Sequence, residues 1–185
     1  MNKHSIIDRA FEPLYGKPCW SVQYGYGSFL TLEFGKPYLT IQEPEEGKPG
    51  WSSSMRKRHA RRRIRVNGEW HLWVYCCEWL LYTGDKLVGD SALETSSKRR
   101  IARGAKELDG QKLIQVEIDP SQGRSVFIFD LGSRLETRPY DADSDQWLLY
   151  EPSGKVFTYR ADGMYSHQRG NTPPKRQKYN AFLEE

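Results

Sequence analysis

Cysteine is scarce in this chain of 185 residues, and the three present cannot build an even disulfide framework: Cys76 and Cys77 are adjacent and Cys19 is distant. On a strand, neighbours point to opposite faces, so one of Cys76 and Cys77 is expected to be buried and the other to lie on the far face. No apolar run approaches the roughly 20 residues that cross a bilayer. The opening stretch MNKHSIIDRAFEPLYG carries acids and lacks the apolar region of a signal peptide. A cytoplasmic location is the expectation. Phosphate-cradling loops, GxGxxG and GxSxG are all missing, which removes the common signatures of nucleotide binding and serine hydrolysis. The four histidines, His4, His59, His71 and His167, are scattered. His71 with Cys77 is the nearest approach to a ligand pair, too few for a metal site. Asp141, Asp143 and Asp145 alternate without the glycine and bidentate glutamate of a calcium loop, and read as a solvated connection. Neither a metal nor a cofactor is expected, and no catalytic residue is singled out.

What the chain does have is aromatic area. Hydrophobic residues make up only 37%, but six Trp, eleven Tyr and seven Phe supply large buried surfaces. Stretches rich in aromatic and β-branched residues read as strands: 18–24, 28–34, 38–43, 61–66, 70–77, 78–82, 112–118, 125–130, 134–138, 146–150 and 155–160. Turn signals separate them, among them FGKP, Asn67-Gly68 and PSG. One segment has helical spacing instead: Leu93, Ser97, Ile101, Ala105 and Leu108, with Asp90 or Ser97 as the cap and Gly110 closing the end. Gly104 inside it costs about 1 kcal/mol relative to alanine.

WLLY occurs twice, at 79–82 and 147–150. Aligning on it matches GSFLTLEFG with GRSVFIFDLG, Tyr38-Leu39-Thr40 with Arg134-Leu135-Glu136, and the strands that open at Lys86 and Lys155. Glu33 and Asp130 fall in corresponding places as paired structural carboxylates. Gly35 to Trp79 spans 44 residues and Gly132 to Trp147 spans 15, so the first half carries 29 more. The expected architecture is mainly β, an α+β chain with one main helix, built from two similar antiparallel sheet units in tandem and bridged by that helix. Its parts are a first unit at 1–89 with a basic insertion at about 44–72, the helix at 90–110, a second unit at 111–168, and a basic, proline-containing tail at 169–185.

Charge is concentrated. The formal net charge is +4, yet without the seven bases of RKRHARRRIR it would be −3, and without five more on the helix it would be −8. An acidic body thus bears basic elements suited to phosphate or to an acidic protein face. If Val66-Asn67-Gly68 form a three-residue hairpin loop, Arg65 faces Glu69, Ile64 faces Trp70, and Arg61, Arg63 and Arg65 share a face with His71, Trp73 and Tyr75. A two-residue loop puts those arginines with Trp70 and Leu72 instead. Either way the candidate partner-binding residues are Arg61, Arg63, Arg65, Trp70 and Trp73, with Arg99 and Arg103 on the helix.

The second half, with Leu108-Asp109-Gly110, the strand ending Phe129-Asp130-Leu131-Gly132, and Trp147 followed by Pro152-Ser153-Gly154, resembles small uncharacterised bacterial β-rich proteins of the immunity-protein type. The resemblance implies a non-catalytic protein that holds one partner tightly. The expected function is a non-enzymatic binding protein for a protein partner, with arginines steering and aromatics anchoring. The alternative is nucleic-acid binding through the same insertion and helix.

Overall fold

The computed structural model describes residues 6–25, 29–91 and 98–182. A short helix, α1 (Ile6–Phe11), runs into a 3-10 turn (Glu12–Leu14) and buries Ile7, Phe11 and Leu14. Strands β1 (Cys19–Tyr24) and β2 (Leu30–Gln42) follow, then α2 (Ser53–His59), β3 (Arg63–Val74), β4 (Cys77–Thr83) and β5 (Lys86–Asp90). Helix α3 (Lys98–Glu107) leads to β6 (Leu113–Asp119), β7 (Arg124–Phe129), β8 (Ser133–Pro139), β9 (Asp145–Tyr150), β10 (Lys155–Arg160), β11 (Met164–Arg169) and the two-residue β12 (Asn180–Ala181). Among the described residues no helix is long and apolar enough to cross a membrane.

The chain is mainly β, in two antiparallel sheets, as expected. One has seven strands in the order β1-β2-β3-β9-β10-β11-β12, the other five in the order β5-β4-β8-β7-β6. This order shows how the two similar units combine. Each starts with a three-stranded meander, β1-β2-β3 or β6-β7-β8. Each then sends its next hairpin across to the other unit, so that β4 pairs with β8 and β9 pairs with β3. The units are interlocked by exchange rather than set one after the other. The registers match: Leu72↔Leu149 and Val74↔Trp147 in one sheet correspond to Leu135↔Leu81 and Thr137↔Trp79 in the other. Both WLLY stretches therefore occupy the same place in their units, with Trp79, Leu81, Trp147 and Leu149 fully buried. The strand equivalent to β8 in the other unit is β3, whereas the sequence alignment placed Arg134-Leu135-Glu136 against the end of β2.

Two turn signals turn out to be interior. FGKP does not end a strand, because Gly35 (φ 76°) and Lys36 together oppose Glu69 and form a bulge within β2. Asn67-Gly68 is mid-strand, with Tyr38↔Asn67 and Pro37↔Gly68 paired across from β2. Gly68 is needed for space, since a Cβ there would press on the backbone of Phe34 and Trp70. The expected hairpin registers are both replaced: Arg65 lies opposite Thr40, Ile64 opposite Ile41 and Trp70 opposite Phe34.

Helix α3 packs on β5 and β1 through Ile101, Ala105 and Leu108, all buried; Leu93 and Ser97 of its expected start lie outside the described residues. Gly104 has a packing reason, because a methyl group there would run into the Val88 carbonyl on β5. Gly104→Ala should therefore destabilise by about 2 kcal/mol instead of yielding the helix-propensity gain of about 1 kcal/mol. Urea unfolding of the variant beside the wild type reads the sign directly. The tail also joins the fold: β12 pairs with β11, and Phe182 packs against Tyr159 and Tyr165.

Candidate functional site

The difference between the two units is where they turn. The β7–β8 connection is Asp130-Leu131-Gly132, but β2 and β3 run on past Phe34 and Trp70 as a two-stranded arm that occupies 35–69. Phe34 and Phe129 hold equivalent positions, each paired with the first residue of its neighbour, Cys19 or Leu113. The arm thus replaces a three-residue turn.

Its root is clamped. Glu33 is only 6% exposed, and its carboxylate is used twice: Oε1 accepts from His71 Nδ1 at 2.7 Å, and Oε2 accepts from the Gly68 N–H at 2.8 Å. Glu69 fills the bulge from the other strand, with Oε2 accepting from the Lys36 N–H at 3.1 Å. Trp20 Nε1 donates to the Gly35 carbonyl at 3.1 Å. These bonds supply partners for backbone groups that the bulge takes out of the ladder.

The shaft has two unlike faces. Residue alternation puts Arg63, Arg65 and Asn67 of β3 on one face with Tyr38, Thr40 and Gln42 of β2. Arg63 donates to Gln42 Oε1 and Asn67 to Thr40 Oγ1, each at 2.6 Å. The opposite face carries the cross-strand pairs Leu39↔Val66 and Ile41↔Ile64. Followed toward the body, this is the side that forms the core, since Leu72 and Val74 continue it and are fully buried. On the arm nothing among the described residues covers it: Leu39 is 64% exposed, Ile41 55%, Ile64 62% and Val66 53%.

The tip is a loop around α2, capped by Ser52 Oγ, which accepts from the Met55 N–H at 3.2 Å. Trp51 and His59 pack ring against ring at 4.4 Å, with Lys48 over Trp51. Lys48 also holds the Glu45 carboxyl below its ordinary value by hydrogen bond and charge. Nine lysines and arginines but only four acids lie within 35–69. Among the described residues, two of the nine meet a carboxylate: Lys48 with Glu45, and Arg62 with Glu43 at 2.9 Å.

The expected site residues divide accordingly. Arg63 and Arg65 share a face of β3 with His71 and Trp73, because β3 is one continuous strand. Arg61 precedes that strand at an exposed bend. Trp70 points the other way and packs on the core, so it is not part of the arginine face. Trp73 forms a half-buried cluster with Phe29 and Tyr75, at 5.7 and 4.7 Å between ring centroids. It lies eight residues from Arg65, about 26 Å along the strand, so arginines and tryptophan form two patches. Arg103 is exposed on α3, which packs on β5 and β1 rather than on the arm; the Arg99 side chain lies outside the described residues. The aliphatic pairs were missed, although the alternation in Tyr38-Leu39-Thr40-Ile41 and Arg63-Ile64-Arg65-Val66 carried the signal.

Other candidate chemistry resolves into structure. β3 ends at Val74 and β4 begins at Cys77, so His71 and Cys77 are not on one strand. Asp141 accepts from the N–H groups of Asp143 and Ser144 and the Ser144 hydroxyl, which closes the β8–β9 connection. Asp130 Oδ1 accepts from the Lys112 N–H at 2.8 Å. Among the described residues no three His, Cys, Asp or Glu side chains gather as a metal-ligand group. Cys77 is buried and Cys76 half-buried, but Cys76 sits at the bend between β3 and β4, so the strand alternation expected of the pair does not set their sides. Burial pushes the Cys19 thiol up to about 12 and raises the Cys77 thiol as well. A thiol-disulfide reagent at neutral pH should label Cys76 alone in the native protein, and all three cysteines in denaturant. Compared with known protein families, curated proteins and solved structures, the chain has no match.

Proposed function

We propose that this protein binds another protein through the β-arm, and that it works by holding that partner rather than by catalysis. The observation that carries the reading is the exposed aliphatic strip of Leu39, Ile41, Ile64 and Val66 on the back of a cationic ribbon. A nucleic acid needs the cations but has no use for four aliphatic side chains on the opposite face. A protein surface with an apolar strip and an acidic flank uses both. Covering what remains exposed of the strip supplies roughly 1 kcal/mol per side chain, while the arginines favour encounter with acidic surfaces. A partner of this kind fits the immunity-type reading of the second half, and the three free thiols fit a reducing, cytoplasmic setting.

The repeat supplies the test. Replacing Gly35–Glu69 by Asp-Leu-Gly, the turn used at the equivalent place, removes the arm and leaves both sheets. The deleted variant should melt within about 3 °C of the wild type. Cross-linking and capture from native-host extract should then recover a protein with the full chain and lose it with the deleted one. The interaction should survive about 1 M salt, where the screening length is about 3 Å. Recovery of nucleic acid alone, falling steeply as salt rises, replaces this reading with the rival; an unchanged partner list on arm deletion removes the arm from either.

A further inference from the structure

Among the described residues both edges of the arm are open. β1 pairs with β2 only as far as Phe34, and β9 pairs with β3 only from His71 onward. Beyond those points alternate residues of each strand turn their N–H and C=O groups outward, as in any two-stranded antiparallel ribbon. The two edges differ in chemistry. That of β2 has Lys36 as its only cation. That of β3 runs from Arg63 to Glu69 without a proline, about 20 Å long.

We infer that the free edge of β3 receives an extended segment of the protein partner, with acidic and apolar residues in alternation, as a third strand of the arm. The inference rests on reading the arm as the protein-binding element, and it names what that element recognises. An added strand places its side chains on the same two faces as its neighbour's. On one face its apolar residues extend the Leu39–Val66 and Ile41–Ile64 pairs into rows of three, which covers Ile64 and Val66 from the side. On the other its carboxylates meet Arg63 and Arg65, neither of which has a carboxylate partner within the described chain. Opposite charges directly across strands attract and like charges repel, so the sign of the ladder selects the segment. The same rule opposes the arm of a second copy, which would bring arginines against arginines. The site closes at His71, where β9 takes up the edge, and this limits the segment to about seven paired residues.

The probe is a synthetic peptide of roughly eight residues, a common strand length, alternating valine and glutamate, added to the full chain. Binding is read by calorimetry and by amide hydrogen exchange. Exchange should slow at alternate residues between Arg63 and Glu69. An isomer with its valines and glutamates in separate blocks should bind at least tenfold more weakly. Arg63→Glu with Arg65→Glu, both on the arm surface, should weaken binding tenfold or more, and a valine–lysine peptide should recover it. Methylating the peptide's backbone nitrogens at one alternate set of positions should abolish binding, while the other set should leave it intact. Equal binding by both methylated sets, or no protection on β3, overturns the added strand. If protection then appears elsewhere on the arm, the arm remains a protein-binding element; if only duplex DNA or RNA binds, that reading falls as well.

Discussion

Trp147→Ala is expected to cost about 4 kcal/mol, a large share of the 5–15 kcal/mol that holds a domain of this size folded. Trp147 is fully buried on β9 and touches both sheets and the N-terminal helix. Its ring meets Phe11 at 5.5 Å, Phe127 at 5.6 Å, Phe157 at 5.8 Å and Tyr159 at 5.3 Å between centroids. The indole also donates to Ser125 Oγ on β7 at 2.9 Å, a bond from one sheet to the other. Alanine leaves a cavity walled by four aromatic rings from three elements, α1, β7 and β10, which cannot collapse together without breaking strand pairing. Trp147→Phe separates the contributions: it keeps most of the volume but leaves the Ser125 hydroxyl unpaired, at about 1.5 kcal/mol. Denaturant unfolding of both variants checks the order. If alanine costs no more than phenylalanine, the packing account of this residue is wrong.

The second large effect is at the root of the arm. Glu33→Ala removes the acceptor for both His71 and the Gly68 N–H, and should destabilise by about 2 to 3 kcal/mol. The consequence is also local. With the bulge no longer tied, arm amides from Lys36 to Gly68 should exchange faster than in the wild type, while those of β6 to β8 change little. Glu33→Gln restores one acceptor and should recover part of the loss. Uniform acceleration throughout the chain would instead mean that Glu33 supports the whole fold and not the arm's attachment.

Much of the architecture was readable because burial writes a period into strands. The place of the two WLLY stretches follows from alternation, with Trp79, Leu81, Trp147 and Leu149 all buried. Alternation says which face a residue takes but not which strand lies beside it, so the exchange of hairpins between units left no trace in the pattern. Nor does it tell a covered face from a bare one: Ile64 and Val66 alternate in step with Leu72 and Val74, yet only the latter reach the core. Gly35-Lys36-Pro37 and Asn67-Gly68 misled for another reason. Bulges and close backbone approaches use the same residues as turns, so two half-strands were read where each of β2 and β3 is continuous. Trp70 was grouped with the arginines because both were near the insertion, although it sits an odd number of positions from each arginine on β3.

The exchange of hairpins also governs when the chain can fold during synthesis. The inner edge of β3 stays open until Trp147–Tyr150 has been made, some seventy residues later, and β4 waits equally for β8. Neither unit closes its own sheet, so a ribosome-bound chain that stops at α3 has two unfinished sheets and no partner for either. Commitment comes late and all at once, when the second unit delivers β9 to the first and takes β4 in return. For the interval before that, the growing chain has to be kept from pairing its open strands with those of its neighbours.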